Sequence, residues 1–228
     1  MMISGQVVAT AALTAGQREA MYALMAEQYE NVTHADFVAD LGGKRDVIVL
    51  AAPDGSLAGF STQTVQPFAP GVQLVFSGDT VVGRAWWNRN DLAAIWMRYA
   101  FDCARGFAGE TYWLLMSKGW RTYRYLPAAF REFHPRRDTP LPPGIAAIID
   151  GFGQAYPARY DNGILYPDKD HVKPEYGEAS EQALHNPDVA FFLARNPGHA
   201  AGDELVCITA IRDDNLTAVG RRLLAGTG

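Results

Sequence analysis

The chain has 228 residues, 48% hydrophobic and 20% charged, and its 25 acidic and 20 basic side chains give a formal net charge of -5. That length is enough for one sizeable core, and the mild acidity argues against a nucleic-acid binder. No apolar run approaches the roughly 20 residues a membrane helix needs, and the N-terminus lacks the basic start and apolar core of a signal peptide, so the expected setting is cytoplasmic. Cys103 and Cys207 sit inside apolar patterns without ligand spacing and read as buried free thiols of a reducing compartment.

Gly5 to Leu13 is a short β-like lead. Thr14 followed by Gln17 forms a capping box, so a helix begins there with Met21, Leu24, Met25 and Tyr29 on one face. Thr33 and Asp36 repeat that spacing ahead of Phe37 and Leu41, and Gly42-Gly43 ends the second helix. Asp46 to Ala52 reads as a strand, Pro53-Asp54-Gly55 as a turn, and Ser56 to Gln66 as the return strand. Leu74-Val75-Phe76 opens a third strand whose apolar run breaks at Ser77-Gly78-Asp79-Thr80 and resumes at Val81-Val82. After a tryptophan-rich loop from Gly83 to Asn88, Asn90 or Asp91 caps a helix with Leu92, Ile95, Trp96, Tyr99 and Cys103 at helical spacing.

Tyr112 to Met116 suits a strand covered on both faces, and Ser117 to Tyr125 is polar, cationic and aromatic together. A helix is expected from about Pro127 to Phe133, a basic proline-rich connection from Pro135 to Pro143, and a helical turn or two over Ile145 to Phe152. Tyr156 to Tyr176 reads as loop and Glu178 to Leu184 as helix. Val189 to Ala194 and Glu204 to Ile211 read as a strand pair, and Leu216 to Leu224 as a terminal helix. The expected fold is α+β: a mixed, mostly antiparallel sheet with helices on both faces. It forms one domain over residues 1–228, with a loop-rich insertion at about 135–187.

The order of strand, two helices, three antiparallel strands, helix, strand and helix resembles the GCN5-related N-acetyltransferase (GNAT) fold, over most of Val7 to Phe133 with Val189 to Ile211 as the closing hairpin. The resemblance implies that the strands Leu74–Val82 and Tyr112–Ser117 splay apart and that an acyl thioester lies between them. It implies a bulge at Ser77-Gly78-Asp79 that frees a backbone N–H for the thioester carbonyl. That family holds the coenzyme A pyrophosphate with a glycine-rich turn, whereas the equivalent loop here, Val82 to Asn90, has one glycine and two tryptophans. Arg84 and Arg89 would then serve as phosphate ligands in place of amides, or the donor would ride on an acyl-carrier protein.

Asp79, polar within an apolar strand, is the candidate base for an amine; the alternative is a bulge carboxylate bonded to local amides. From the resemblance, a tyrosine after the fifth strand protonates the leaving thiolate, with Tyr123 the first choice and Tyr125 the second; the alternative is a structural tyrosine. Ser77, Gly78, Arg84, Arg89, Lys118 and Arg121 are expected to hold the donor, and Glu27, Tyr29 and Trp86 to border the acceptor. Helix capping, a solvated face and core packing are the competing explanations for these. Arg131, His134, Arg136 and Arg137 form a basic cluster, either a phosphate or carrier-protein dock or a solvated face. The histidines show no metal spacing, so no metal is expected.

The expected activity is transfer of an acyl group from acyl-CoA or an acyl-carrier protein, as cosubstrate rather than tightly bound cofactor, to a small amine or amino-acid-like acceptor. The rivals are a non-catalytic ligand- or partner-binding protein of the same fold, and an enzyme using the same cleft for another reaction on an acyl substrate.

Overall fold

A computed structural model of the chain describes residues 3–167 and 169–226. Its first half follows the predicted order: β1 (Ser4–Ala9), α1 (Ala15–Gln28), β2 (Tyr29–Glu30), α2 (His34–Gly42), β3 (Asp46–Ala51), β4 (Leu57–Ala69), β5 (Val72–Val82), α3 (Asp91–Arg105) and β6 (Glu110–Ser117). Both capping signals act as read. Thr14 accepts from the Gln17 amide while the Gln17 side chain returns a bond to Thr14, and Thr33 accepts from the Asp36 amide.

The second half is more structured than the sequence suggested. It contains α4 (Trp120–Tyr123), α5 (Tyr125–Ala129), α6 (Pro143–Ala155), β7 (Arg159–Asp161), β8 (Ile164–Tyr166), β9 (His171–Val172), α7 (Pro174–Gly177), α8 (Glu181–Leu184), α9 (Pro187–Arg195), β10 (Glu204–Ala210) and α10 (Ala218–Ala225). The stretch read as loop thus holds a hairpin, β7–β8, turning through Asn162 and Gly163, both at positive φ. Val189 to Ala194 is helical, which corrects the expected closing hairpin. Asn186 accepts from the Asp188 and Val189 amides, Pro187 occupies the first turn, and Val189 and Phe192 are buried one helical turn apart.

The main sheet has eight strands in the order β1-β3-β4-β5-β6-β10-β8-β7. Every neighbouring pair is antiparallel except β5–β6, which is parallel. Alternation sends Val47, Val49, Phe60 and Val81 toward α1 and α2, and Leu74, Phe76, Leu114, Val206 and Ile208 toward α6. The intervening Ile48, Leu50, Val75, Trp113, Leu115 and Cys207 pack beneath α3, α9 and α10 on the other face. The sheet is therefore mixed, mostly antiparallel and covered on both faces. Among the described residues no helix is long and apolar enough to cross a membrane.

Candidate active site

Two irregularities of β5 shape the site. Gln63 of β4 faces Ser77 while Ser61 faces Thr80, so Gly78 and Asp79 together stand opposite Thr62 in a β-bulge. A Cβ at Gly78 would lie 2.6 Å from Thr62 Oγ1 and 3.1 Å from Lys44 Nζ, so a side chain there would have to displace Thr62. The parallel pairing of β5 with β6 also ends at Ser77 and Leu115. β5 continues to Val82 along β4, and β6 continues to Ser117 along β10, so the two strands part and leave a wedge between them.

Ser77 fixes the apex of this wedge. Its hydroxyl accepts the indole N–H groups of Trp96 and Trp113 at 3.0 and 3.1 Å and donates to Gln63 Oε1 at 2.9 Å. The Gln63 amide donates to Ser61 Oγ at 2.7 Å, and Ser61 meets Thr80 Oγ1 at 2.7 Å. Such a buried network holds its shape because each polar group has a partner. It also leaves the Ser77 side chain no capacity for a donor ligand, so that part of the expected donor set is structural.

A cavity of about 540 Å³ opens from the wedge. Asp79, Lys44, Asp40, Lys118, Tyr156 and Glu204 line its depth. Burial, then the charge of Asp40, pushes Asp79 up to about 6, with Lys44 and Lys118 pulling the other way. Lys44 donates to Asp40 at 2.9 Å. Lys118 donates to Asp170 at 2.5 Å and lies 3.3 Å from Glu204 Oε1. Burial opposes its charge, but Glu204 and Asp170 outweigh that and raise its pKa. Burial raises the Tyr156 hydroxyl, and Glu204, Asp40 and Asp79 raise it further. Desolvation beside the same groups pushes the partly buried Tyr29 up to about 12.

The rim is of a different kind. Arg121 lies between the rings of Trp87 and Trp120, at 4.9 and 4.4 Å from their centroids, and donates to the Tyr176 carbonyl. Arg124 faces Trp120 from 5.8 Å, and Arg84 faces Trp87 and Tyr176 from 5.8 Å each. Burial, then the neighbouring Arg84, lowers the Arg121 pKa. One cavity wall comes from the segment after Lys169. It is tied to the end of α1 by the β2–β9 pairing and by Lys173 Nζ on the Ala26 and Glu27 carbonyls, and to α4 by Trp120 Nε1 on Gly177 O. A small apolar pocket of about 60 Å³ adjoins the wedge between β5, β6 and α3, with Trp96, Met97, Leu115 and Tyr125 in its lining.

Of the residues singled out from the sequence, Asp79, Ser77, Gly78, Arg89, Lys118, Arg121, Tyr29 and Trp86 line the cavity, whereas Tyr123, Arg84 and Glu27 do not. Tyr123 is fully buried among Phe133, Phe191 and Phe192, and its hydroxyl donates to the Pro135 carbonyl at 2.9 Å. The chain shifts from α4 to α5 at Arg124, and Tyr125 faces the wedge instead. Glu27 is exposed and accepts from the Tyr176 hydroxyl at 3.1 Å. Arg89 pairs with Asp91 at 2.7 Å. In the basic cluster, Arg137 pairs with Asp138 and Asp188, and Arg136 donates to the Arg131 carbonyl. Sequence reading missed Asp40, Lys44, Tyr156 and Glu204; the only local signal was an acid opening the apolar run of β10.

No family model and no curated protein matches the sequence. Among solved structures, the chain is similar to a Trypanosoma brucei acetyltransferase at 19% identity, over 61% of this chain and 99% of that one, with a TM-score of 0.40. It is similar to an acyl-CoA N-acyltransferase from Pseudomonas aeruginosa at 20% identity, over 54% and 84%, with a TM-score of 0.42. A GNAT family N-acetyltransferase (YhbS) from Escherichia coli in complex with CoA matches at 15% identity, over 55% and 68%, with a TM-score of 0.38. Likeness at this level is one of arrangement and assigns no substrate.

Proposed function

We propose that the chain is a GNAT-like N-acyltransferase that moves an acyl group from a thioester donor to an amine. The observation that carries this reading is the parting of β5 and β6 at a bulge that sets a carboxylate, Asp79, against the cavity. The donor's thioester lies in the wedge, with its carbonyl toward the main-chain N–H groups that the bulge withdraws from the ladder. The amine lies in the cavity. Its nitrogen attacks the carbonyl carbon, the C–N bond forms, and Asp79 takes the proton. The C–S bond then breaks, and Tyr125, in the role expected of Tyr123, gives a proton to the departing thiolate. Catalysis on this plan is chiefly positioning and carbonyl polarisation.

Arg121 and Arg84 gather the donor's phosphates at the rim, where side chains replace the missing glycine-rich turn. Lys118 and Arg89 drop out of that set because Asp170 and Glu204 already hold the one and Asp91 the other. Stacked guanidiniums beside a narrow wedge favour acyl-CoA over an acyl-carrier protein as the cosubstrate. A non-catalytic reading draws support from Asp91, an acid in the first turn of α3, where an anion would otherwise sit. Thiol release from acyl-CoA and acyl-carrier donors, measured with amines present, decides between them. Release with an acyl-CoA is expected; no release with any donor overturns the transferase.

A further inference from the structure

The small pocket beside the wedge differs in kind from the charged cavity. Leu92, Ala93, Trp96, Met97, Leu115 and Phe130 are in its lining. Ala93, Trp96 and Met97 come from the buried stripe of α3, at helical spacing. The polar side chains on its sheet wall are already matched. Ser61 bonds Thr80, and Ser77 is taken up by Gln63 and the two indoles. A space with such walls favours apolar atoms over water. Gly78, Met116 and Tyr125 line both this pocket and the cavity, so the two meet at the bulge where the thioester carbonyl is set. From that point a chain can turn two ways. Toward the depth it would strip water from Asp40, Lys44, Asp79 and Lys118 and bury little apolar surface in return. Toward α3 it meets only apolar groups and matched polar ones.

We propose that this pocket takes the tail of the acyl group and selects a short straight chain, propionyl or butyryl, over acetyl and over long chains. The proposal rests on the donor placement given above. An engineered cavity of about 150 Å³ holds benzene, about 25 Å³ per carbon. The pocket's volume of about 60 Å³ therefore takes about two to three carbons beyond the carbonyl. Acetyl would leave it part empty, and an octanoyl chain would have to displace Met97 and Phe130, each only 1% exposed. The tail takes no part in the bond changes. The acyl carbon passes from sulfur to the amine nitrogen, the nitrogen's proton goes to Asp79, and the thiolate gains one from Tyr125.

The test is calorimetric binding of the S-ethyl, S-butyl, S-hexyl and S-octyl ethers of coenzyme A, which cannot transfer. It is followed by kcat/KM for thiol release from acetyl-, propionyl-, butyryl-, hexanoyl- and octanoyl-CoA with whichever amine supports release. The S-butyl ether is expected to bind about fivefold or more tighter than the S-ethyl and S-octyl ethers, as burial of two further methylenes requires. Ala93→Leu, which fills the pocket, should bring the S-butyl to S-ethyl ratio toward one. Met97→Ala, which deepens it, should move the optimum to S-hexyl. If neither variant folds, the wild-type series decides alone. An S-ethyl or S-octyl ether that binds as well as S-butyl, or no binding of any ether, overturns the proposal. Graded binding without thiol release from any acyl-CoA sinks the transferase and keeps the pocket; thiol release with no preference among chains does the reverse.

Discussion

The depth of the cavity and its rim are built from opposite materials. The depth is carboxylate and lysine, desolvated and, apart from Asp79, ion-paired, on α2, the α2–β3 link and the strand ends. The rim is arginine and tryptophan, more open, on a loop and a one-turn helix. Burial in the depth, and after it the charge of Asp40, pushes Asp79 up to about 6 against the pull of Lys44 and Lys118. Charges at the rim are stacked on rings and face water, where a single contact is worth little. The contrast suits a division of labour. Proton transfer and acceptor selection belong where the dielectric is low, and a large polyanionic donor belongs where many weak contacts add up.

The comparison breaks first at Asp79. Asp79→Asn should lower kcat by about a hundredfold or more, yet stabilise the fold at neutral pH. The Asp79 pKa is raised on folding, so its contribution to stability is whole below about pH 4 and is lost as pH rises through about 6. Removing the charge should return about 1–2 kcal/mol at pH 7 in urea unfolding, after a discount for partial solvation. The acid limb of wild-type kcat/KM should fall near pH 6. A variant that loses both activity and stability would show that Asp79 is a structural bulge carboxylate. Ser77→Ala strands two indole N–H groups and Gln63 Oε1, and should cost about 2–3 kcal/mol.

Smaller effects separate the neighbouring tyrosines. Tyr125→Phe should lower kcat about tenfold or more with the melting temperature unchanged. Tyr123→Phe should leave kcat alone and lose about 1 kcal/mol, the worth of its bond to Pro135. The reverse pattern would restore Tyr123 as the acid. Arg121→Ala should raise KM for acyl-CoA about threefold to tenfold, with a KM that rises less steeply with salt than in the wild type. An unchanged donor KM would remove the rim from the donor site.

What the sequence disclosed depended on how far the deciding contacts lay along the chain. Thr14 with Gln17 and the broken alternation at Ser77-Gly78-Asp79 are local, and both were legible. Val189 to Ala194 was misread because Val, Phe and Leu suit a strand as well as a helix; the Asn186-Pro187-Asp188 start was the better guide. Tyr123 and Tyr125 could not be told apart without knowing that the helix restarts at Arg124. Asp40, Lys44, Tyr156 and Glu204 come from separate elements and meet only in the folded chain, so nothing near any of them announces the others.

The wall that joins α1 to α4 is fastened at both ends, at Val172 by its pairing with Tyr29 and at Gly177 by the Trp120 indole. The span between those points works as a ruler. With one residue more or fewer, either the strand pairing or the indole bond must let go, while a change of length in the exposed Pro53–Ser56 turn would pass unnoticed at the cavity.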